Sequence, residues 1–331
     1  MMKKIIALLL ALMMAVGMLA GCAKQNDDTD DTTDKLRIVT TIFPEYDWVK
    51  EILGDKADHA DITMLLDNGV DLHSYQPTAD DIVKISACDL FLYVGGESEG
   101  WVEDALKNSA NKDRKVINLL DVLGDKVKSE EVVEGMQEEE HEHEEGEEHE
   151  HEEEADEHVW LSLKNAEVLV GAISLALQEL DAENMEIYAE NADAYVKKLA
   201  ALDAEYQTAV DNATCKTVLF GDRFPFRYLV DDYALNYYAA FAGCSAETEA
   251  SFETISFLAK KADELKLPCV LTIEGKHHKI AETIVKNTAQ KSQKILTMDS
   301  MQSTTSKDAA GGTTYLSVME KNLAVLKEAL A

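Results

Sequence analysis

Leu36-Arg37-Ile38-Val39-Thr40-Thr41-Ile42-Phe43-Pro44 is the stretch on which the fold turns. A run this rich in β-branched residues suits a strand. Pro44 cannot stay in a ladder but fits a first helical turn, so a helix is expected from there through Leu53. Working outward, Ala60 to Leu66 reads as a second strand, and Pro77-Thr78 opens a helix with Thr78 as cap and Ile82 and Ile85 on one face. Leu90 to Val94 is a short apolar strand ending in Gly95-Gly96, Trp101 to Leu106 resumes helix, and Val116 to Leu119 gives a fourth strand. Strand–helix alternation of this kind argues for a parallel α/β sheet. Leu163 to Leu180 is an amphipathic helix. Ala182 to Asn212 then runs 31 residues without Gly or Pro, a helix of roughly 45 Å. The alternation restarts behind it with strands at Thr217 to Phe220, Asn236 to Phe241, Cys269 to Ile273 and Lys294 to Met298. Helices are expected at Glu253 to Leu265, Lys276 to Gln290 and from Thr314 onward. The expected architecture is α/β, two lobes each with a mostly parallel sheet flanked by helices, joined by one long helix. The N-terminal lobe covers 36–162, the linking helices 163–213 and the C-terminal lobe 214–331.

Charge narrows the function. The 331 residues hold 31 Lys and Arg against 64 Asp and Glu, a formal net charge of −33. Non-specific binding to a polyanion needs clustered cations, so a nucleic-acid role is excluded. Hydrophobic residues make up 46% of the chain, enough for packed domains. The acidity is local: the 28 residues from Glu130 to Glu157 contain 17 carboxylates and no Lys or Arg. His141, His143, His149 and His151 stud this strip, which is expected to form a loop over about 129–156. Such a loop can simply solubilise the chain. It can also collect metal weakly, since imidazoles bind late divalent cations and glutamates concentrate them.

At the N-terminus Lys3-Lys4 precedes 16 mostly apolar residues, Ile5 to Ala20, too short for a spanning helix but right for an export signal. Leu19-Ala20-Gly21-Cys22 resembles the bacterial lipobox. That resemblance implies a signal peptide over 1–22, lipidation of Cys22 and anchoring on the outer face of the cell membrane, with 23–35 as a polar tether. Four cysteines remain, Cys88, Cys215, Cys244 and Cys269, none in a Cys-x-x-Cys pattern. Disulfides and small buried hydrophobes are both open readings of them.

Outside the strip lie His59, His73, His158, His277 and His278. His73 sits between a strand and the helix after Pro77, in Asp71-Leu72-His73-Ser74-Tyr75-Gln76-Pro77-Thr78, where open α/β sheets carry ligand groups. His158 follows the strip in Glu157-His158-Val159-Trp160-Leu161-Ser162. These two motifs, with Cys88-Asp89-Leu90-Phe91 and Gly95-Gly96-Glu97-Ser98-Glu99-Gly100-Trp101, resemble the metal-binding proteins of bacterial ABC transporters for zinc and manganese. The resemblance runs in order from about Leu36 to the end and implies that His73 and His158 are ligands. It also implies a His or Glu after the strand following the long helix, and an Asp after the last strand. Leu296-Thr297-Met298-Asp299-Ser300 supplies Asp299. At the other position Gly221 stands where the family's His would be, leaving Asp222 as neighbouring donor, unless Arg223 or Arg227 pairs with it. Glu274 is expected as site architecture more than as a ligand, and His277 and His278 open a helix where adjacent side chains diverge. Gly243-Cys244-Ser245-Ala246-Glu247-Thr248-Glu249 matches the family region before a helix, with Glu247 or Glu249 as capping or rim residues.

The candidate ligand set is therefore His73, His158, Asp222 and Asp299, with His141, His143, His149 and His151 as an accessory loop. Imidazole favours zinc over manganese by the usual affinity order, while two carboxylates also suit manganese. No His-Glu-x-x-His, Gly-x-Ser-x-Gly or Walker loop points to catalysis. The resemblance implies a monomeric, lipid-anchored receptor that hands zinc to an ABC permease and its ATPase, with manganese as the alternative cargo. An extracytoplasmic metallohydrolase and a surface adhesin or zinc store are the readings from other classes.

Overall fold

Residues 35–107, 109–137, 154–245, 249–275 and 277–331 are described by a computed structural model. Cys22, residues 23–34 of the tether, the four strip histidines and Glu247 lie outside these residues. The stretch from Leu36 folds as expected: β1 (Leu36–Thr40) is an inner strand of a four-stranded parallel sheet in the order β2-β1-β3-β4. β2 is Ala60–Met64, β3 Leu90–Tyr93 and β4 Lys115–Asn118; Ile38 lies between Ile62 and Leu90 across the sheet. After β1 the chain turns sharply into α1 (Phe43–Leu53), with Pro44 in its first turn. The Glu45 carboxylate accepts from the Thr41 N–H at 2.8 Å and the Ile42 N–H at 3.4 Å, satisfying donors that a helix start leaves open. Helices α2 (Ala79–Ala87), α3 (Val102–Lys107) and α4 (Leu119–Leu123) complete the lobe.

α5 (Leu163–Leu180) and α6 (Met185–Asp211) form the connector. α6 buries Tyr188, Ala192, Tyr195, Leu199, Leu202, Tyr206 and Val210. That three-and-four spacing keeps one face inward over the helix's whole length, about 40 Å at 1.5 Å per residue. The second sheet repeats the first, parallel in the order β6-β5-β7-β8, with β5 Thr217–Phe224, β6 Asn236–Ala242, β7 Cys269–Thr272 and β8 Lys294–Thr297. Its helices are α7 (Arg227–Asp232), α8 (Phe252–Glu264), α9 (Lys279–Asn287), α10 (Ser306–Ala310) and α11 (Tyr315–Ala329). β5 runs further than expected because its ladder shifts register between Phe220 and Arg223. Gly221 lies in that irregularity, where a Cβ would stand 2.6 Å from the Ala281 Cα of α9. A helix backbone therefore packs where a side chain at position 221 would stand.

The lobes share one hydrophobic cluster, reaching from Ile38 and Trp48 through Trp160 and Tyr206 to Leu330. Polar ties cross it. Tyr315 donates its N–H to Asp47 at 2.8 Å and its hydroxyl to the Trp160 carbonyl at 2.6 Å, and the Trp160 indole donates to the Ser300 carbonyl at 2.8 Å. The four cysteines outside the signal are free thiols, Cys88 and Cys269 buried, Cys215 and Cys244 partly so.

Candidate metal site

Parallel sheets deliver their loops to one edge, and the candidates here lie beyond a strand's carboxyl end, in the segment entering α5 or, for Asp222, in the last residues of β5. His73 sits in a short 3-10 turn, Leu72–Ser74, that Asp71 caps by accepting the His73 N–H at 3.0 Å. His158 enters the turn before α5, fully buried, with its backbone N–H held by Asp156 at 2.9 Å.

The two rings face each other, Nε2 to Nε2, at 3.1 Å. Their far nitrogens are engaged by oxygens: His73 Nδ1 lies 2.8 Å from Ser98 Oγ and 3.4 Å from Glu157 Oε2, and His158 Nδ1 lies 3.1 Å from Asp156 Oδ1. The Asp156 carboxylate can only accept, so it places the His158 proton on Nδ1 and turns that ring's Nε2 lone pair towards His73. Burial first, then His158, drives the His73 pKa down to about 3, which keeps it a neutral donor at physiological pH. Asp156 fixes His158 from outside, as carboxylates behind metal-bound imidazoles do. Replacing it with Asn is expected to weaken metal affinity about 10–100-fold without loss of fold, measured by competition with a chromophoric chelator.

Acidic residues surround the pair, with one guanidinium among them. Burial opposes ionisation of Asp71, yet the Arg223 guanidinium, then His73, holds its carboxyl below the usual range. Arg223 Nη2 lies 2.5 Å from Asp71 Oδ2 and so ties β5 to the other lobe. The arginines do not pair with the Asp222 side chain: Arg227 reaches Glu131 at 3.3 Å and Asp231 at 3.7 Å.

Among the described residues, Asp222 and Asp299 are not in the group whose ligand atoms lie within 4.8 Å of the two histidines. The Asp222 carboxylate accepts from the Arg223 N–H at 2.9 Å and the Ile273 N–H at 3.4 Å, and burial raises its pKa. Asp299 accepts from the Met301 N–H at 2.8 Å and is likewise raised by burial. Glu274 holds the loop after β8, accepting from the Ser300 N–H and hydroxyl, each at 2.7 Å, and the Gln302 N–H at 3.2 Å. That loop returns Gln302 to within 3.4 Å of His158 Nε2. His277 and His278 precede α9, His278 as its N-cap residue, and neither converges on the pair.

The group that does converge was not singled out from sequence. Among the described residues, His73, His158 and Cys244 place one potential ligand atom each within 4.8 Å of one another. Cys244 follows β6, its N–H donating to Glu130 Oε1 at 2.9 Å. Burial, then Glu130, Asp156 and Glu157, pushes its free thiol pKa far up. Glu130 and Asp156 are also the feet of the acidic strip. Ser129 and Ala155 form an antiparallel bridge, the Glu130 N–H donates to the Glu154 carbonyl at 2.8 Å, and the Asp156 N–H donates to the Lys128 carbonyl at 2.8 Å. The strip therefore leaves and rejoins the fold beside the site.

Two parallel-sheet lobes thus bring facing imidazoles together at their carboxyl edges as a candidate metal site. The family described as ZnuA, zinc-uptake complex component A, periplasmic, matches residues 38–329, and the chain belongs to it. The zinc-binding lipoprotein AdcA of Streptococcus pneumoniae is 33% identical over 327 residues, which is 99% of this chain and 61% of AdcA, so the chain spans under two thirds of that relative. The high-affinity zinc uptake system protein ZnuA of Bacillus subtilis is 32% identical over 310 residues, covering 94% of this chain and 92% of its own. The crystal structure of the Zn(II)-bound ZnuA-like domain of S. pneumoniae AdcA superposes with a TM-score of 0.68 at 30% identity, over 89% of this chain and 99% of that domain.

Proposed function

We propose that the protein is a lipid-anchored extracytoplasmic receptor that captures zinc between its lobes and delivers it to an ABC permease driven by an ATPase. The observation that carries this reading is the pair of Nε2 atoms 3.1 Å apart with both Nδ1 atoms already engaged. Two ligands on a tetrahedral zinc at ~2.0–2.1 Å stand roughly 3.3 Å apart, so the pair needs almost no rearrangement. Membership of a zinc-uptake family and the zinc-bound state of the pneumococcal neighbour support zinc as cargo. Manganese, the alternative, prefers harder oxygen donors than two imidazoles provide. The strip histidines serve, on this reading, as a loose collector of metal.

Equilibrium dialysis of the full chain against equal zinc and manganese, with metal counted by mass spectrometry, tests the assignment. One zinc per chain is expected in the tight site, with manganese displaced. Retention of manganese in preference to zinc, or of neither, would sink it.

A further inference from the structure

We propose that Cys244 is the third ligand of this site, so that the ion is held by two imidazoles and one thiolate. The inference rests on the metal-capture reading above. Its geometric basis is convergence from three separate loops: the turn after β2 brings His73, the entry to α5 brings His158, and the end of β6 brings Cys244, all within 4.8 Å. The approach of β6 is built in. A Cβ on Gly243 would stand 3.0 Å from His158 Cε1 and 2.9 Å from the Phe224 carbonyl, so only glycine lets this strand end pass against the ring. The backbone on either side of the sulfur is pinned. Glu130 accepts the Cys244 N–H at 2.9 Å, and Arg223 Nη1 donates to the Ser245 carbonyl at 3.4 Å.

The alternatives on the carboxyl half are otherwise engaged. Asp222 and Asp299 spend their carboxylates on backbone amides, and β5 presents the Arg223 guanidinium, a group with no lone pair to give. On a tetrahedral zinc with Zn–S near ~2.3 Å, sulfur and nitrogen ligands stand roughly 3.5 Å apart. A short inward movement of one thiol meets that distance. As the sulfur pair bonds to the ion, the S–H proton leaves to solvent, one proton for one Zn–S bond. A thiolate is a soft donor that strengthens zinc binding and adds little for manganese. The metal preference of this chain would then be set by Cys244 rather than by a carboxylate.

The test uses the full chain, kept reduced. Loaded with cobalt(II), the wild type should show a near-ultraviolet sulfur-to-metal charge-transfer band, and zinc-edge X-ray absorption should show one sulfur at about 2.3 Å. Cys244→Ser should lose the band, bind zinc about a hundredfold more weakly, and leave manganese affinity nearly unchanged. A wild-type zinc complex with no sulfur shell, or a Cys244→Ser protein with undiminished zinc affinity, overturns the ligand assignment while leaving zinc capture standing. A wild type that binds no zinc tightly overturns the capture reading instead. The absorption measurement needs no variant, so misfolding of Cys244→Ser would not rescue the idea.

Discussion

Replacing His158 with alanine should abolish tight zinc binding, lowering affinity by roughly a hundred- to a thousandfold. That figure is one donor's share of a four-ligand zinc site, whose binding free energy is ~10–16 kcal/mol. The ring is buried to 0% exposure and its Nε2 faces that of His73 at 3.1 Å. Its removal also leaves a cavity against Trp160, whose ring centroid stands 5.3 Å from that of His158. Some loss of melting temperature is therefore expected, on the order of 1–3 kcal/mol of stability. His73→Ala separates the two effects. Its side chain lies at the rim, 9% exposed, so it should lose zinc to the same degree with little change in melting. Chelator competition and thermal melts on both variants decide the matter. If either binds zinc like the wild type, the paired imidazoles are not the site.

Glu99→Gln should stabilise the protein, by an amount that grows as pH rises. Glu99 is 2% exposed, with Oε2 accepting the Gly95 N–H at 2.8 Å and Oε1 without a partner. Burial, with the Glu157 charge adding to it, raises its pKa from 4.5 to about 8. A carboxyl whose folded pKa lies above its unfolded value binds its proton more tightly in the native state. Its contribution is complete below pH ~4.5 and is lost progressively as pH climbs to about 8. Over that window the loss approaches the order of 5 kcal/mol at ~1.4 kcal/mol per unit. Glutamine keeps the acceptor for Gly95 and does not titrate. Urea unfolding of both proteins from pH 4 to 9 should therefore show curves that meet in acid and diverge in base. Parallel curves would mean that Glu99 is ionised in the fold.

The fold was open to reading from sequence because its signals are local. The β-branched run to Pro44, the Thr78 cap and the uninterrupted 31 residues from Ala182 each constrain a few neighbours, and the corresponding elements appear. What escaped was long-range. The shift of register in β5 answers to the approach of α9, sixty residues away in sequence, and Gly221 discloses that only once Ala281 is beside it. Cys244 stands in the sequence as a cysteine outside any Cys-x-x-Cys pattern and carries no ligand spacing, because the group it joins is assembled from three loops. The signal that could have found it is the one used for His73, a donor just past the carboxyl end of a parallel strand. Arg223 was weighed as a partner for Asp222, its sequence neighbour. It reaches Asp71 in the other lobe, a pairing that only the closed-up sheets make possible.

The ties through Tyr315 and Trp160 bear on how long an ion stays bound. Trp160 is two residues from His158 and is fastened at both ends, its carbonyl to the terminal helix and its indole to the loop after β8. With the lobes riveted through the segment that carries a candidate ligand, a wide swing of one against the other would have to break those bonds and expose the shared core. Escape by a local shift of a few residues meets a far smaller barrier. Residence time then becomes a property of one short loop, open to a docking partner that pushes on it and indifferent to the stiffness of the whole molecule.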